Sequence, residues 1–322
     1  MEWIRLKARL LEAGSVRLSG EPIDRYVSRS AAGPSAGTSG SLFFSTGARR
    51  VRVCIDEASP IEVVHRGGEE ADLFIDGERV RGRLEPAALH CPRQAYITVS
   101  ASCIFHCRYC PVPGLPGRRK EIAGIARMVE SVADRVDAIA ITSGVASSIE
   151  EEEAYVLDVV KALLPFSLPI GVSIYPGPET PARLHALGVA EVKFNIETAT
   201  PALFSEMCPG LSWEAVWEAL RQSVPLFGRG RVYSNVIVGL GETDEDLERV
   251  IEGLAGIGVI PILRPLTPAA SLAGRPRPSA DRMLRLYDIH ERILRQAGLD
   301  PGRALTMCAA CTGCDLVPGR DA

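Results

Sequence analysis

The chain has 322 residues, is 46% hydrophobic and carries a formal net charge of −4, enough to bury a full core as one large α/β barrel or as two domains. Its slight acidity, with no basic patch interleaved with aromatics, argues against nucleic acid as a partner, and no apolar run approaches the roughly 20 residues that cross a bilayer. The N-terminal stretch MEWIRLKARLLEAG is charged throughout and lacks an apolar signal core, so the chain reads as cytoplasmic. Its nine cysteines are then expected as thiols and not as disulfides.

Residues 1–40 read as an amphipathic helix, a glycine break, a second short segment and a Gly-rich loop at 31–40. Residues 41–93 read as a small β-rich domain: SLFFST, RRVRVCI, IEVVHR, ADLFID and RVRGRL are β-prone runs, parted by Gly-containing turns. From 94 to 298 the pattern changes. AYITVSAS, DAIAITSG, SLPIGVSIYP, AEVKFNIET, RVYSNVIVGLG and VIPILRPLTP read as strands, each followed by an amphipathic helix. Apolar strands buried on both faces and alternating with helices predict a parallel sheet, and six right-handed units predict an open, partial (β/α)6 barrel. Residues 299–322 form a cysteine-bearing tail.

In such barrels the chemistry sits where strands end and helices begin. Four segments from distant parts of the chain meet that condition: the cysteine loop after the first strand, Thr142-Ser143-Gly144 after the second, Asn195-Ile196-Glu197-Thr198 after the fourth, and Gly239-Leu240-Gly241-Glu242-Thr243 after the fifth. Gly239 and Gly241 permit close backbone approach there.

The loop CIFHCRYC places Cys103, Cys107 and Cys110 within eight residues. Three thiolates on a four-iron cluster leave one iron open to a small chelating molecule. The alternative is a zinc knuckle completed by His106, although zinc pairs usually come as separated CxxC elements. CxxxCxxC with an aromatic, Tyr109, before its last cysteine resembles the signature of radical S-adenosylmethionine (SAM) enzymes. The resemblance implies a [4Fe-4S] cluster on Cys103, Cys107 and Cys110 whose open iron is chelated by SAM. One-electron reduction, from a donor such as ferredoxin, then releases a 5′-deoxyadenosyl radical that abstracts hydrogen from a substrate. The segment AIAITSG is similar to the strand that ends at the methionine amine of SAM, which assigns Ser143 and Gly144, without the usual acidic end. KFNIETATPALFSEMCPG and SNVIVGLGETDEDL resemble segments of lipoyl and biotin synthases, which implies SAM contacts by Asn195 and Glu197, with Gly239 at the barrel mouth. Arg264, at the end of the sixth strand, reads as a ligand for substrate or the SAM carboxylate, or as half of a salt bridge.

The tail TMCAACTGCDLVPGRDA adds Cys308, Cys311 and Cys314. Following the last helix, it reads as a segment folding back over the barrel. A second, auxiliary [4Fe-4S] cluster is expected there, with Cys91, Cys54, a serine or the substrate as fourth ligand; Cys91, immediately before the barrel, is preferred. A redox-active or structural thiol group, or a zinc site borrowing Asp315 or a distant cysteine, is the alternative. Lone cysteines such as Cys54 are usually core residues, and Cys208 reads as a buried or SAM-proximal thiol.

Two three-cysteine groups in a lipoyl-synthase-like barrel resemble a sulfur-inserting enzyme, nearest to the archaeal biotin-synthase-related proteins such as the two-subunit lipoate synthases. The chain lacks the N-terminal auxiliary motif and the C-terminal Arg-Ser-Ser-Tyr of bacterial lipoyl synthases, and Ala215 stands where their arginine is expected. The resemblance implies a protein-bound octanoyl substrate on a lipoyl-domain or other carrier protein, and a paralogous radical SAM subunit as partner. The alternatives are a radical SAM enzyme that methylates, rearranges or cyclises another cofactor precursor, and a non-catalytic cluster-bearing subunit. Of the remaining residues, Glu150–Glu153 read as a solvated helix start, Glu242 as a capping acid, Arg118, Arg119 and Lys120 as solvated surface, and His65, His90, His185 and His290 as residues without a ligand role.

Overall fold

In the computed structural model, residues 2–29 and 40–322 are described; apart from Gly40, the Gly-rich loop read at 31–40 lies outside the described residues. Helix α1 (Trp3–Ala13) buries Leu6, Leu10 and Leu11 on one face and ends at Gly14 in the left-handed conformation. Strands β1 (Ser15–Gly20), β2 (Ser41–Thr46), β3 (Arg49–Ile55), β4 (Glu62–Gly67), β5 (Glu70–Ile75) and β6 (Glu78–Glu85) close into a barrel of order β1-β3-β2-β6-β5-β4. The five predicted β runs are all present. The addition is β1, which lies parallel to both β3 and β4 and ties the region read as helix and linker into the β-rich unit. SVRLSG gives little local strand signal, and its partners lie about forty residues away, where periodicity cannot see them.

The second unit alternates strand and helix: β7 (Gln94–Thr98), α2 (Ile122–Glu130), β8 (Ala138–Thr142), α3 (Ile149–Leu163), β9 (Ile170–Ser173), α4 (Thr180–Ala186), β10 (Glu191–Lys193), α5 (Pro201–Met207), α6 (Trp213–Phe227), β11 (Val232–Val238), α7 (Asp244–Ile257), β12 (Ile260–Pro265) and α8 (Ala280–Ala297). Its six strands form one parallel sheet in sequence order. Helix α5, capped by Thr200 with Pro201 in its first turn, falls within a segment read only as a motif. Ala138, Ile139, Ala140 and Ile141 of β8 are fully buried; enclosing each isoleucine contributes about 1.5–3 kcal/mol.

The tail carries α9 (Met307–Cys311) and does not fold over the carboxyl ends of the strands. It closes the opposite end of the sheet. Glu191, the first residue of β10, accepts hydrogen bonds from the Leu305 N–H (3.0 Å) and from the Thr306 N–H and hydroxyl (both 2.8 Å). Gln94, the first residue of β7, clasps Met307 by both backbone groups, at 2.7 and 3.0 Å. A Cβ at Gly171, near the start of β9, would lie 2.0 Å from the Thr306 hydroxyl, so this close approach requires glycine. Beyond the cysteines, Asp321 meets Lys7 of α1 at 2.7 Å, with both side chains fully buried, and accepts from the Trp3 indole at 3.1 Å.

Candidate active site

The inward face of one strand and its extension lays out the site. Glu191, Lys193, Asn195 and Glu197 alternate with Val192, Phe194 and Ile196, and period 2 sends the polar set to one side. Glu191 holds the tail. Lys193 donates to the Cys308 sulfur at 3.2 Å. Asn195 and Glu197 line the same cavity further up. Side chains from all six strands face this cavity, about 320 Å³ in volume. Four residues of strand, about 13 Å, separate the level of Lys193 from that of Glu197.

At the upper end sits the cysteine loop. Cys103, Cys107, Tyr109 and Cys110 line the cavity together with Ser143 and Gly144. The loop rests on Gly144, where a Cβ would lie 2.3 Å from the Ser102 carbonyl oxygen and 3.1 Å from the Cys103 Cβ. The Cys103 sulfur accepts from the Val145 N–H at 3.5 Å. A hydrogen bond with Cys208 and burial push the Cys107 thiol up, and burial pushes Cys110 up to about 11. Cys208 is fully buried behind the loop, 3.5 Å from the Tyr109 hydroxyl. His106 is exposed and does not line the cavity, which removes the candidate fourth ligand of a zinc knuckle.

Glu197 has φ +60, a strained backbone for a residue other than glycine. Burial raises its carboxyl to about 7, against the pull of Lys193 and Arg264. Asn195 accepts from the Asn235 N–H at 3.2 Å, and the Asn235 side-chain oxygen is buried without a hydrogen-bond partner. Arg264 lines the cavity, lies 3.4 Å from Asp315 of the tail and keeps its Nε unpartnered. Orphaned polar atoms on a cavity wall are costly unless a ligand satisfies them.

Several expectations change. Gly239 does not line the cavity; at φ +110 it turns the chain after β11, and Glu242, nearly buried, holds that turn by accepting from the Gly239 and Leu240 N–H groups at 2.7 and 2.8 Å. The helix cap itself is Thr243, in a capping box with Asp246. Glu152 and Glu153 are not solvated: they are 2% and 5% exposed. Glu152 accepts from Ser100 (2.6 Å), Ser143, the Ala146 N–H (3.1 Å) and Arg119 (2.8 Å). Burial alone would raise its pKa, but the bonds from Ser100, Ser143 and Arg119 outweigh it and hold the group below its ordinary range. It thus joins the ends of β7 and β8 beneath the Ser143-Gly144 turn. Arg119 leaves the surface for this contact and lies over the Tyr155 ring, and Lys120 donates to the Thr98 carbonyl at 2.6 Å.

At the lower end Cys308, Cys311, Cys314 and Asp315 line the same cavity, with His90 beside them. His90, read as having no ligand role, packs edge-on to Tyr96 and hydrogen-bonds Arg52 at 2.9 Å; burial and Arg52 push its pKa down. Burial raises the Asp315 carboxyl. Cys91 hydrogen-bonds Cys311, which lowers Cys311 and raises Cys91. Among the described residues, no three His, Cys, Asp or Glu side chains converge tightly enough to hold one metal ion. A cluster several ångströms across asks for a wider set of thiols than a single ion does. Among the described residues, no helix is long and apolar enough to cross a membrane.

Residues 97–254 match the family described as the radical SAM superfamily. No curated protein matches the chain. Solved structures share the fold. The FeFe-hydrogenase maturase HydG from Carboxydothermus hydrogenoformans aligns at 17% identity and TM-score 0.52, over 63% of this chain and 52% of that one. Methylornithine synthase, PylB, aligns at 17% identity and TM-score 0.50, over 65% and 70%. Streptococcus suis SuiB bound to S-adenosylmethionine aligns at 13% identity and TM-score 0.52, over 64% and 48%. The match thus spans about half the length of HydG and of SuiB. With the cysteine loop seated at the carboxyl ends of a sequential parallel sheet, residues 97–254 of this chain are a domain of the radical SAM superfamily.

Proposed function

We propose that the chain is a radical SAM enzyme that inserts sulfur into an unactivated C–H bond, with a protein-bound octanoyl chain as substrate, and that its strands form a partial (β/α)6 barrel. The family implies a [4Fe-4S] cluster and SAM. The residues present fit both: three thiols on one loop, and beside them a cavity with buried, unpartnered polar atoms on Asn235 and Arg264. In this reading Cys103, Cys107 and Cys110 hold the cluster, and Ser143 and Gly144 receive the methionine end. Asn195 and Glu197 hold hydroxyl or amine groups, and Tyr109 walls the site. When bound, these groups supply a 5′-deoxyadenosyl radical that removes a substrate hydrogen. The protein orients SAM, excludes water and keeps Glu152 anchoring the turn that carries Ser143.

One observation carries the sulfur reading: the second cysteine triad lines the same cavity as the first. A second cluster on Cys308, Cys311 and Cys314 would then face the substrate carbon from the far end and supply a sulfide to it. The test is anaerobic reconstitution with isotopically labelled sulfide, followed by dithionite, SAM and an octanoylated lipoyl-domain peptide. Labelled sulfur in the peptide, together with 5′-deoxyadenosine, is the expected result. 5′-Deoxyadenosine with unlabelled product would assign a methylation, rearrangement or cyclisation. The likeness in fold to HydG and PylB keeps that second reading in view. No 5′-deoxyadenosine from reconstituted protein would assign a cluster-bearing partner subunit to a paralogue.

A further inference from the structure

We propose that Cys91 is the fourth thiolate of the second cluster, which therefore has four protein ligands and no iron open to substrate. This rests on the reading that Cys308, Cys311 and Cys314 hold a cluster. Three observations support it. Cys91 is fully buried and packs with Phe43, Cys311 and Tyr96 in a small group apart from the main core. A cysteine serving only as a small apolar filler would be expected within the core itself.

The two segments bearing the four thiols are also locked in register. Cys91 pairs with Gln94 in an isolated antiparallel bridge, and Gln94 clasps both backbone groups of Met307, one residue before Cys308. Both segments carry strained backbone: Arg93, Met307 and Thr312 have φ +61, +58 and +59. Strain of this kind persists where surrounding contacts over-determine it and gathers at sites of function.

The charge balance agrees. Lys193 contacts Cys308, Arg264 lies beside Asp315, and the Arg52 guanidinium hydrogen-bonds His90, on the cavity wall beside the tail cysteines, at 2.9 Å. Three cations against one carboxylate offset the net negative charge of a cubane with four thiolates. Cys54, the other candidate, lines a second small cavity with Cys314 and Arg277 but has no bridge to the Gln94 clasp, and its substitution is the control below. A substrate would then reach this cluster at sulfide and not at iron.

The test uses full-length protein with Cys103, Cys107 and Cys110 replaced by alanine, so that only the second site takes up iron. This parent should hold about four irons per chain after reconstitution. Adding Cys91→Ala should lower the iron content and replace the reduced-state EPR signal. Adding Cys91→Ser should keep about four irons with a shifted signal, and adding Cys54→Ala should change neither. A parent with no iron overturns the second cluster and this proposal together. A parent with four irons whose signal is the same in Cys91→Ser overturns the proposal alone, whether or not Cys91→Ala folds.

Discussion

The two three-cysteine segments share one cavity and are built in opposite ways. The upper one is a half-exposed loop laid across the carboxyl ends of the strands, supported by a glycine and by Glu152 beneath it. The lower one lies between two sheets and is tied to the amino ends of β7 and β10, with Cys311 7% exposed and Cys308 and Cys314 half-buried on the cavity wall. An exposed loop leaves room for an exchangeable small molecule. A site framed by two sheets suits a resident group. On the proposed reading, the comparison separates a working centre that turns over from an interior component that is part of the fold.

Breaking the lower seal should have the largest effect. Lys7→Ala leaves Asp321 buried and unpaired, and removing one partner of a buried ion pair costs about 3–5 kcal/mol. Urea unfolding should record that loss, and the iron bound by the tail should fall while the upper cluster remains. Next comes the upper support. Gly144→Ala drives a Cβ into the Ser102 carbonyl and should reduce 5′-deoxyadenosine formation on the order of 10²-fold, with the tail iron unchanged. Loss of both clusters in either variant would mean that the two ends are not independent.

Glu152→Gln keeps the size of the buried hub but weakens its bond to Arg119, and should cost about 1–3 kcal/mol; raised KM for SAM is the readout tied to the Ser143 turn. The smallest effect should be the pH response. The Glu197 carboxyl is held near pH 7, so it is protonated below that and accepts hydrogen bonds fully only above it. SAM affinity should rise as pH passes upward through about 7, by up to tenfold, the worth of one charge-assisted hydrogen bond. Glu197→Gln should flatten the profile. A slope that survives the substitution would assign the titration elsewhere.

The alternating strands and helices were legible because burial on both faces of a parallel sheet leaves apolar runs that helices of clear periodicity interrupt. The cysteine loop was legible because its spacing lies within eight consecutive residues. What escaped is nonlocal. Lys193 carries a signal in its alternation with Glu191, Asn195 and Glu197, but Gln94 becomes a clasp only when the tail arrives from 213 residues away. Glu152 and its neighbours form an acidic run like any solvated helix start, and nothing in sequence reveals that Ser100 and Arg119 will enclose one of them.

The fully buried Cys91 and the clasp at Met307 bear on how the molecule is assembled. Residues beyond α8 supply part of the cavity wall, through Cys308, Cys311, Cys314 and Asp315. Once they dock, the deepest thiols lie behind Phe43 and the N-terminal barrel. In the proposed reading, iron and sulfide would reach them through the cavity's lower end, during docking or when it reopens. A chain that closes empty would then fill its lower site only as fast as its floor opens, and more slowly than the upper loop.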